Sequence, residues 1–322
     1  MRDRQPVDEL LTDPQTPAEL EKQLKTAGQI LEFAETELDL SANGSYSSYV
    51  EVNDGALVWN VVAAGEFSLK PKQWCFPVAG CVPYRGYFNK TKAEDFAAGL
   101  RNKGLDVYIS PSAAYSSLGW FHDPLLSTMF NGSDTRLAGL LFHELAHQRI
   151  YVKNDGAFNE GFASFVEQTG LNIWMDSTQT GEQIRLWEES KSATTDFTGL
   201  IAQTRDRLDE LYGETIPDEA KRQQKADILL AFENAYHELK ISNWNGRDYY
   251  ANWFDRPVNN ARLALYNTYE GSLCAFQNLL HSADGDLRAF YRLAKEKSRL
   301  SGGKREEWLD QSCTAIAPTG NL

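Results

Sequence analysis

Long hydrophobic runs are missing from this sequence. No apolar stretch approaches the roughly 20 residues that a membrane-spanning helix needs. The first residues, MRDRQPVDELLTDPQTPAEL, also contain no apolar core of the kind that a signal peptide has. Clusters of basic residues are absent too, since 32 Lys and Arg face 45 Asp and Glu, which gives a net charge of −13. This balance argues against partners that are nucleic acids or anionic membranes.

Histidine and cysteine are both scarce, with five and four residues in 322. Cys75 and Cys81 flank a short Pro- and Gly-containing loop, and Cys274 and Cys313 lie far downstream. This spacing is poor for a zinc ribbon, and no second nearby pair exists. Four cysteines allow three disulfide pairings, and buried thiols fit equally well. A disulfide would indicate an oxidising compartment.

The N-terminal third has both helix and strand signals. Thr16 and Glu19 have the spacing of a capping box with Pro17 between them, which predicts a helix through residue 38. The segments SYSSYVEV and ALVWNVVAA flank Asn-Asp-Gly at 53–55, which predicts a β-hairpin. Thr91 is predicted to cap a second helix that ends at Gly104, and LDVYIS at 105–110 is predicted to be a strand.

Beyond residue 125 the apolar spacing is almost wholly helical. Asp134 is predicted to cap one helix and Asp155 the next. Further helices are predicted at 178–212, 217–241, 257–267, 271–282 and 285–298. No repeat or low-complexity linker interrupts the chain. The sequence therefore predicts an α+β fold in one domain over 1–322, with a helix in 1–40, a small mixed sheet in 41–125 and a helical body in 126–322.

The segment LLFHELAHQRIYVKNDGAFNEGFASFVEQTG holds the residues on which a functional hypothesis depends. His143 and His147 are four residues apart, so on a helix they share one face and can bind one metal ion. Glu144 follows the first histidine, where it can act as a general base toward water at the ion. A catalytic zinc takes three protein ligands, and Glu160 on the next predicted helix is the candidate for the third.

Glu160 has polar companions at helical spacing. Ser164 and Glu167 follow it at i+4 and i+7, so they can support the ligands from the same face. The alternative interpretation is that His143 and His147 only pack in a helix interface. That alternative is disfavoured because two unpaired imidazoles beside a glutamate would be costly on an apolar helix.

This block resembles the gluzincin metallopeptidases, and its second half resembles the aminopeptidase N family. The resemblance implies that the helical body at 126–322 is zincin-like. The loop before Glu160 is shorter than in that family, and the Gly-Ala-Met-Glu-Asn element that binds the substrate amine there is absent. The chain is more similar to a bacterial family of predicted aminopeptidases, many of them cell-envelope lipoproteins. The similar strings are WCFPVAGCVPYRGYF, AYSSLGWFHDPLLSTM, the HELAH–NEGFA block and NNARLALYNTYEGSLCAF.

The resemblance implies further candidate residues. Tyr269, or alternatively Tyr266, is the candidate donor to an oxyanion. The segment around Tyr115 is the candidate edge strand that would hold a peptide, or else a core strand. Three residues at a predicted helix start are candidates for binding substrate or for capping the helix: Asn259, Asn260 and Arg262. Glu167 and Asp123 are the candidate anchors for a free amine.

Together these observations predict a metallopeptidase with one zinc ion, and an aminopeptidase rather than an endopeptidase on the resemblance alone. Its partner would be a peptide and not a nucleic acid. The resemblance also implies a location in the cell envelope and a lipid-anchored N-terminus in the natural protein. Two other classes remain open. One is a non-catalytic envelope protein for binding or assembly that retains the fold, and the other is a structural zinc protein.

Overall fold

The computed structural model describes residues 4–52, 55–76, 80–112, 122–178, 180–270 and 273–313, except for the side chains of 266–270. The strands are β1 Gln5–Pro6, β2 Ser48–Val50, β3 Val58–Gly65, β4 Trp74–Phe76, β5 Gly80–Val82, β6 Arg85–Tyr87, β7 Leu105–Ser112 and β8 Leu125–Leu126. The helices are α1 Val7–Thr12, α2 Ala18–Thr36, α3 Lys90–Arg101, α4 Asp134–Arg149, α5 Gly156–Thr178, α6 Gly181–Gly213, α7 Asp218–Ser242, α8 Asn260–Glu270, α9 Leu273–Ser282, α10 Leu287–Ser298 and α11 Gly302–Leu309. Strands in the N-terminal region followed by a helical body confirm the predicted α+β class. The single-domain assignment stays a prediction.

The strands form three small sheets. In the first, β2 pairs antiparallel with β1 and parallel with β8, so that sheet is mixed as predicted. In the second, β3 pairs antiparallel with both β6 and β7. In the third, β4 and β5 form a hairpin.

The hairpin predicted around 53–55 is wrong, because β2 and β3 belong to different sheets among the residues that the structure describes. Asn53 and Asp54 themselves lie outside those residues. The long apolar strand β3 finds its partner in β7, where Val61 lies opposite Ile109 and both are buried. Burial of apolar side chains between distant strands thus outweighs a local turn signal.

Two helix starts differ from their predictions. At the start of α2, the hydroxyl of Thr16 is buried and has no hydrogen-bond partner among the described atoms, so the predicted capping box is wrong. At the start of α3, the cap is Asn89 rather than Thr91, and its side chain accepts a hydrogen bond from the backbone N–H of Lys92. Asn satisfies an end N–H as well as Thr does, so capping residues two positions apart compete in the sequence.

The largest core surrounds α4 and α5. The two helices pack against each other, with α2 on one side and α9, α10 and α11 on the other. Aromatic side chains from these helices pack ring against ring, among them Phe158, Phe162, Phe276, Phe290 and Trp308. A second core fills the space between α6, α7 and the turn at 251–254. The pair α4–α5 is therefore held from both sides.

The four cysteines form two disulfides. Cys75 and Cys81 join β4 to β5 at directly opposed positions, and Cys274 joins α9 to Cys313 beyond α11. Of the two alternatives left open by the sequence, the structure has disulfides and not buried thiols. Within the described ranges, no helix has both the length and the apolar character for crossing a bilayer.

A buried ion pair connects the last helix to the start of α5. Arg305 is 7% exposed, and its guanidinium donates hydrogen bonds to the Asp155 carboxylate and to the backbone oxygens of Ser298 and Leu300. We expect Arg305→Ala to lower the free energy of unfolding by about 3 kcal/mol, because it leaves a buried carboxylate without its partner. Urea denaturation measures this change.

The matched control is Arg222→Ala, which removes an exposed ion pair with Glu66. Exposed pairs are screened by water, so this variant should unfold at nearly the wild-type urea concentration. Equal shifts for the two variants would contradict a structural role for the buried pair.

Candidate metal centre

Helix α4 carries both histidines on its less apolar side. Ser133 caps the helix by accepting a hydrogen bond from the backbone N–H of Arg136, one residue before the predicted Asp134. The opposite face is fully buried in the main core through Leu141, Phe142, Leu145 and Ala146. Burial of that face fixes the rotation of the helix, so His143 and His147 both face α5.

Helix α5 begins as predicted, with the Asp155 side chain accepting a hydrogen bond from the backbone N–H of Phe158. The amide of Asn159 bonds both the N–H and the C=O of Val152, which fixes the loop between the two helices. Glu160 lies in the second turn of α5 and faces the histidines.

Two glycines allow α4 and α5 to approach closely. A Cβ on Gly139 of α4 would lie 3.0 Å from the Glu167 carboxylate and from Leu171. A Cβ on Gly170 of α5 would lie 2.9 Å from the Phe142 ring and 2.8 Å from Leu38. Larger residues at these positions would force the two helices apart and separate the side chains that meet between them.

Three donor atoms from the two helices converge. The Nε2 atoms of His143 and His147 are 3.1 Å apart, and the Glu160 carboxylate oxygen is 3.4 Å from the first and 3.7 Å from the second. Ligands at zinc distances in a tetrahedral arrangement are separated by about 3.3 Å. The three residues could therefore hold one metal ion in the positions they already occupy, and they form a possible metal-binding group in the structure.

The charges around the three donors also fit a cation. Burial disfavours a charge on His143, but its hydrogen bonds to Glu160 and Glu167 outweigh burial and raise its pKa to about 10. Burial lowers the pKa of His147 to about 4, and the charge of Glu160 opposes this only in part. The negative charge of Glu144 also stabilises the proton on His143. Three carboxylates thus retain one proton on a buried imidazole, and a divalent cation would take its place.

Glu167 orients the first histidine. Its carboxylate lies 3.0 Å from Nδ1 of His143, so it accepts the Nδ1–H and leaves Nε2 to face His147 and Glu160. This is the support at i+7 that the sequence predicts. Glu167 was also a candidate anchor for the free amine of a substrate, and its hydrogen bond to His143 engages the carboxylate that this role would need.

Replacing Glu167 should weaken the metal centre without removing a ligand. We expect Glu167→Gln, which keeps an acceptor oxygen but loses the charge, to lower metal affinity or kcat/KM by about 10-fold. Glu167→Ala, which loses both, should cost about 100-fold. Titration with a competing chelator measures the affinity. Glu188→Gln, on an exposed pair with Lys191, is the control, and a loss of the same size there would contradict the orienting role.

The family comparison adds an independent finding. The model of a family described as "putative aminopeptidase" matches residues 1–309. The chain belongs to this family. Searches of the curated proteins and of the solved structures returned no match. Membership of this family implies that the chain is a peptidase with peptide substrates.

Three predicted substrate residues of this family member lie in a network of structural hydrogen bonds. Asn260 is fully buried, and its amide bonds the backbone oxygens of Gly65 and Glu66 and the hydroxyl of Tyr212. Asn259 accepts from the backbone N–H of Arg262 and donates to the backbone oxygen of Val107, and the Arg262 guanidinium donates to the backbone oxygens of Trp253 and Asn252. These contacts support the alternative prediction, that the three residues start and anchor α8 against β3 and β7.

The side chains of the three candidate tyrosines lie outside the described part of the structure. Tyr115 lies outside the described residues. Tyr269 is on α8, but its side chain, like that of Tyr266, is outside the described part of that helix. Asp123 is 2% exposed and its backbone oxygen accepts from the N–H of Tyr46, so it is enclosed in the protein. These roles stay predictions, and none of them is needed to assemble the three donors.

Sequence reasoning missed two tyrosines beside the centre. Tyr46 is buried with a left-handed backbone, φ +65°, and burial together with the charges of Glu144 and Asp123 raises the pKa of its phenol well above the ordinary value. Tyr151 lies on the loop after α4 and is 39% exposed. Partial burial of its phenol, together with the negative charge of Glu160, raises its pKa. Tyr46 lies nearly 100 residues from the motif, so only the fold brings it there. Its unusual backbone is typical of functional sites.

A cavity with a volume of about 1640 Å³ lies between α5, α6 and α9. Glu167 lines this cavity, but His143, His147 and Glu160 are not among its described lining residues. The cavity is therefore next to Glu167, the residue that orients His143. Its described lining does not include the three donor residues.

Proposed function

We propose that this aminopeptidase-family protein is a zinc-dependent peptidase whose ion is held by His143, His147 and Glu160. The observation that carries the proposal is the triangle of donor atoms, with sides of 3.1, 3.4 and 3.7 Å, on two adjacent helices. Two imidazoles and one carboxylate are a ligand set that catalytic zinc uses, and a set of three leaves a position for water or substrate. The HExxH spacing and the family match point to the same chemistry.

Glu144 is the proposed general base. It shares the turn of α4 with His143, and its negative charge raises the pKa values of both His143 and Tyr46, so it is close enough to both side chains to affect them. When bound, zinc would polarise the substrate carbonyl and lower the pKa of water to about 7. Glu144 would accept the proton of the attacking water and pass it to the amine that leaves.

The proposed reaction is removal of an N-terminal residue, and this part rests on family membership. The two carboxylates suggested as amine anchors do not supply an independent reason, because Glu167 bonds His143 and Asp123 is buried. An acidic group near the N-terminus of the substrate would therefore have to come from elsewhere in the cleft. An endopeptidase with the same centre would need no such group.

One assay tests the metal and the direction of cleavage together. Matched peptides with a free or an N-acetylated first residue would be incubated with the protein, with and without a chelator. We expect cleavage of the free-amine peptides only, lost with chelator and restored by zinc. Comparable cleavage of the acetylated peptides would show an endopeptidase, and cleavage that survives complete metal removal would overturn the zinc proposal.

We also propose that the protein acts in an oxidising compartment of the cell envelope. The support is that all four cysteines are in disulfides, which persist outside the reducing cytosol. Mass spectrometry of the protein from its native cell, with free thiols blocked before lysis, tests this. Four blocked thiols per chain would count against it.

A further inference from the structure

The hairpin β4–β5 packs against the loop that joins the two metal-ligand helices. Gly80 is buried with φ +76°, and a Cβ placed on it would lie 1.5 Å from the side-chain oxygen of Asn154. Asn154 itself has φ +63° and lies in the loop between α4 and α5. The backbone of the hairpin and the side chain of the loop are therefore in direct contact, and only glycine allows this approach.

The same loop borders the metal centre. It leaves α4 two residues after His147 and enters α5 four residues before Glu160. Tyr151, on this loop, is close enough to Glu160 for that carboxylate to affect its phenol. The contact between Gly80 and Asn154 thus places the hairpin at the edge of the proposed catalytic site.

Two exposed aromatic side chains flank this contact. Phe76 lies directly opposite Gly80 in the hairpin and is 39% exposed, and Tyr151 on the loop is also 39% exposed. Tyr151 lies near Glu160, and Phe76 is linked to the same loop through the contact between Gly80 and Asn154. The molecule on which the metal centre acts is therefore the occupant to which both exposed rings are available.

The disulfide holds Phe76 in place. Each strand of the hairpin has three residues, and a two-stranded hairpin of this size is marginally stable by itself. Cys75, adjacent to Phe76, is bonded to Cys81, adjacent to Gly80. The cross-link therefore fixes the register on which both the exposed ring and the buried glycine depend.

We infer that Phe76 and Tyr151 form the apolar wall of the substrate site, and that they select peptides with an apolar side chain next to the bond that is cut. The inference rests on the proposed peptidase function, and it names the class of substrate for that site. An aliphatic or aromatic side chain would be removed from water against these rings, whereas a small or charged side chain would gain nothing there.

The test compares substrates rather than absolute rates. kcat/KM would be measured for two peptides that differ only at the residue before the cut, leucine in one and serine in the other. We expect the wild type to prefer leucine and Phe76→Ala to reduce this preference about 10-fold, in the range that one apolar contact contributes to specificity. Phe76→Leu, which keeps an apolar side chain, should retain most of the preference.

Phe88→Ala is the matched control, because Phe88 is a more exposed aromatic residue, 69%, that follows β6 in a different sheet. Its leucine-to-serine ratio should equal that of the wild type. A ratio unchanged in both Phe76→Ala and Tyr151→Ala, with cleavage still measurable, would overturn the inference and leave the peptidase proposal standing. Absence of any peptide cleavage by the zinc-loaded wild type would overturn both.

Removal of the hairpin disulfide by substitution provides a second test. The Cys75→Ser, Cys81→Ser double variant keeps Phe76 but frees the hairpin, so the leucine preference should fall while zinc content stays at the wild-type level. A variant that retained the full preference would show that the hairpin does not position Phe76 for the substrate.

Discussion

Glu144→Gln should lower kcat/KM for peptide cleavage by about 10²- to 10⁴-fold while the protein keeps its metal. Removal of a general acid-base group typically has an effect of this size. Glutamine has the shape of glutamate, so the fold around His143 should be preserved, but it cannot accept a proton from water. The measurement pairs steady-state kinetics with metal analysis of the same sample.

Glu35→Gln serves as the comparison, since Glu35 is an exposed residue of α2. It should leave both activity and metal content at the wild-type level. If Glu144→Gln retained more than a tenth of wild-type activity, Glu144 would not be the base. Loss of metal in that variant would instead assign Glu144 to metal binding.

Glu160→Ala should lower zinc affinity by more than about 100-fold. Groups that only orient a ligand already change affinity by about 10- to 100-fold, and Glu160 supplies one of the three donor atoms itself. Its removal also takes away a buried negative charge, so the centre would attract a cation less strongly. Competition with a chromogenic chelator gives the dissociation constant, and activity should fall in parallel at limiting zinc.

Excess zinc distinguishes this variant from Glu144→Gln. Activity of Glu160→Ala should rise when zinc is raised, because its defect is in binding, whereas Glu144→Gln should not respond. A Glu160→Ala protein that bound zinc with wild-type affinity would exclude Glu160 from the ligand set. The zinc would then be held without Glu160, and the three donors would not form its ligand set.

The helical part of the molecule could be predicted largely from the sequence. Helix periodicity and capping residues are local signals, so α4 to α7 begin close to their predicted positions, although α5 continues to Thr178, beyond the predicted segment GAFNEGFASFVEQT. The metal centre shared this advantage, because the spacing of His143 and His147 and the helix that carries Glu160 are both local features. Helix pairing then needed only a short loop to bring the donors together.

The strands could not be paired from the sequence. β2 joins β1 and β8, which lie some 40 and 75 residues away along the chain, and no local pattern names such partners. The same limit hid Tyr46, which reaches Glu144 only through these long-range pairings. Asn260 illustrates a different limit. A polar side chain at a helix start can bind substrate or bond the backbone, and the sequence does not reveal the neighbours that decide between the two, here the backbone oxygens of Gly65 and Glu66.

The three candidate metal ligands come from one continuous helix–loop–helix segment, His143 to Glu160. Closing such a short loop costs the unfolded chain little entropy, because the cost grows only as about 1.5 RT times the logarithm of loop length. The unfolded protein can therefore gather the same donors, at least weakly, and binding to the unfolded state reduces the stabilisation that an ion provides. The Cys274–Cys313 bridge differs in kind, since it joins positions 39 apart and constrains α10 and α11 between them. The disulfide therefore restrains the unfolded chain of this protein, whereas a bound ion would serve the proposed reaction more than the stability of the fold.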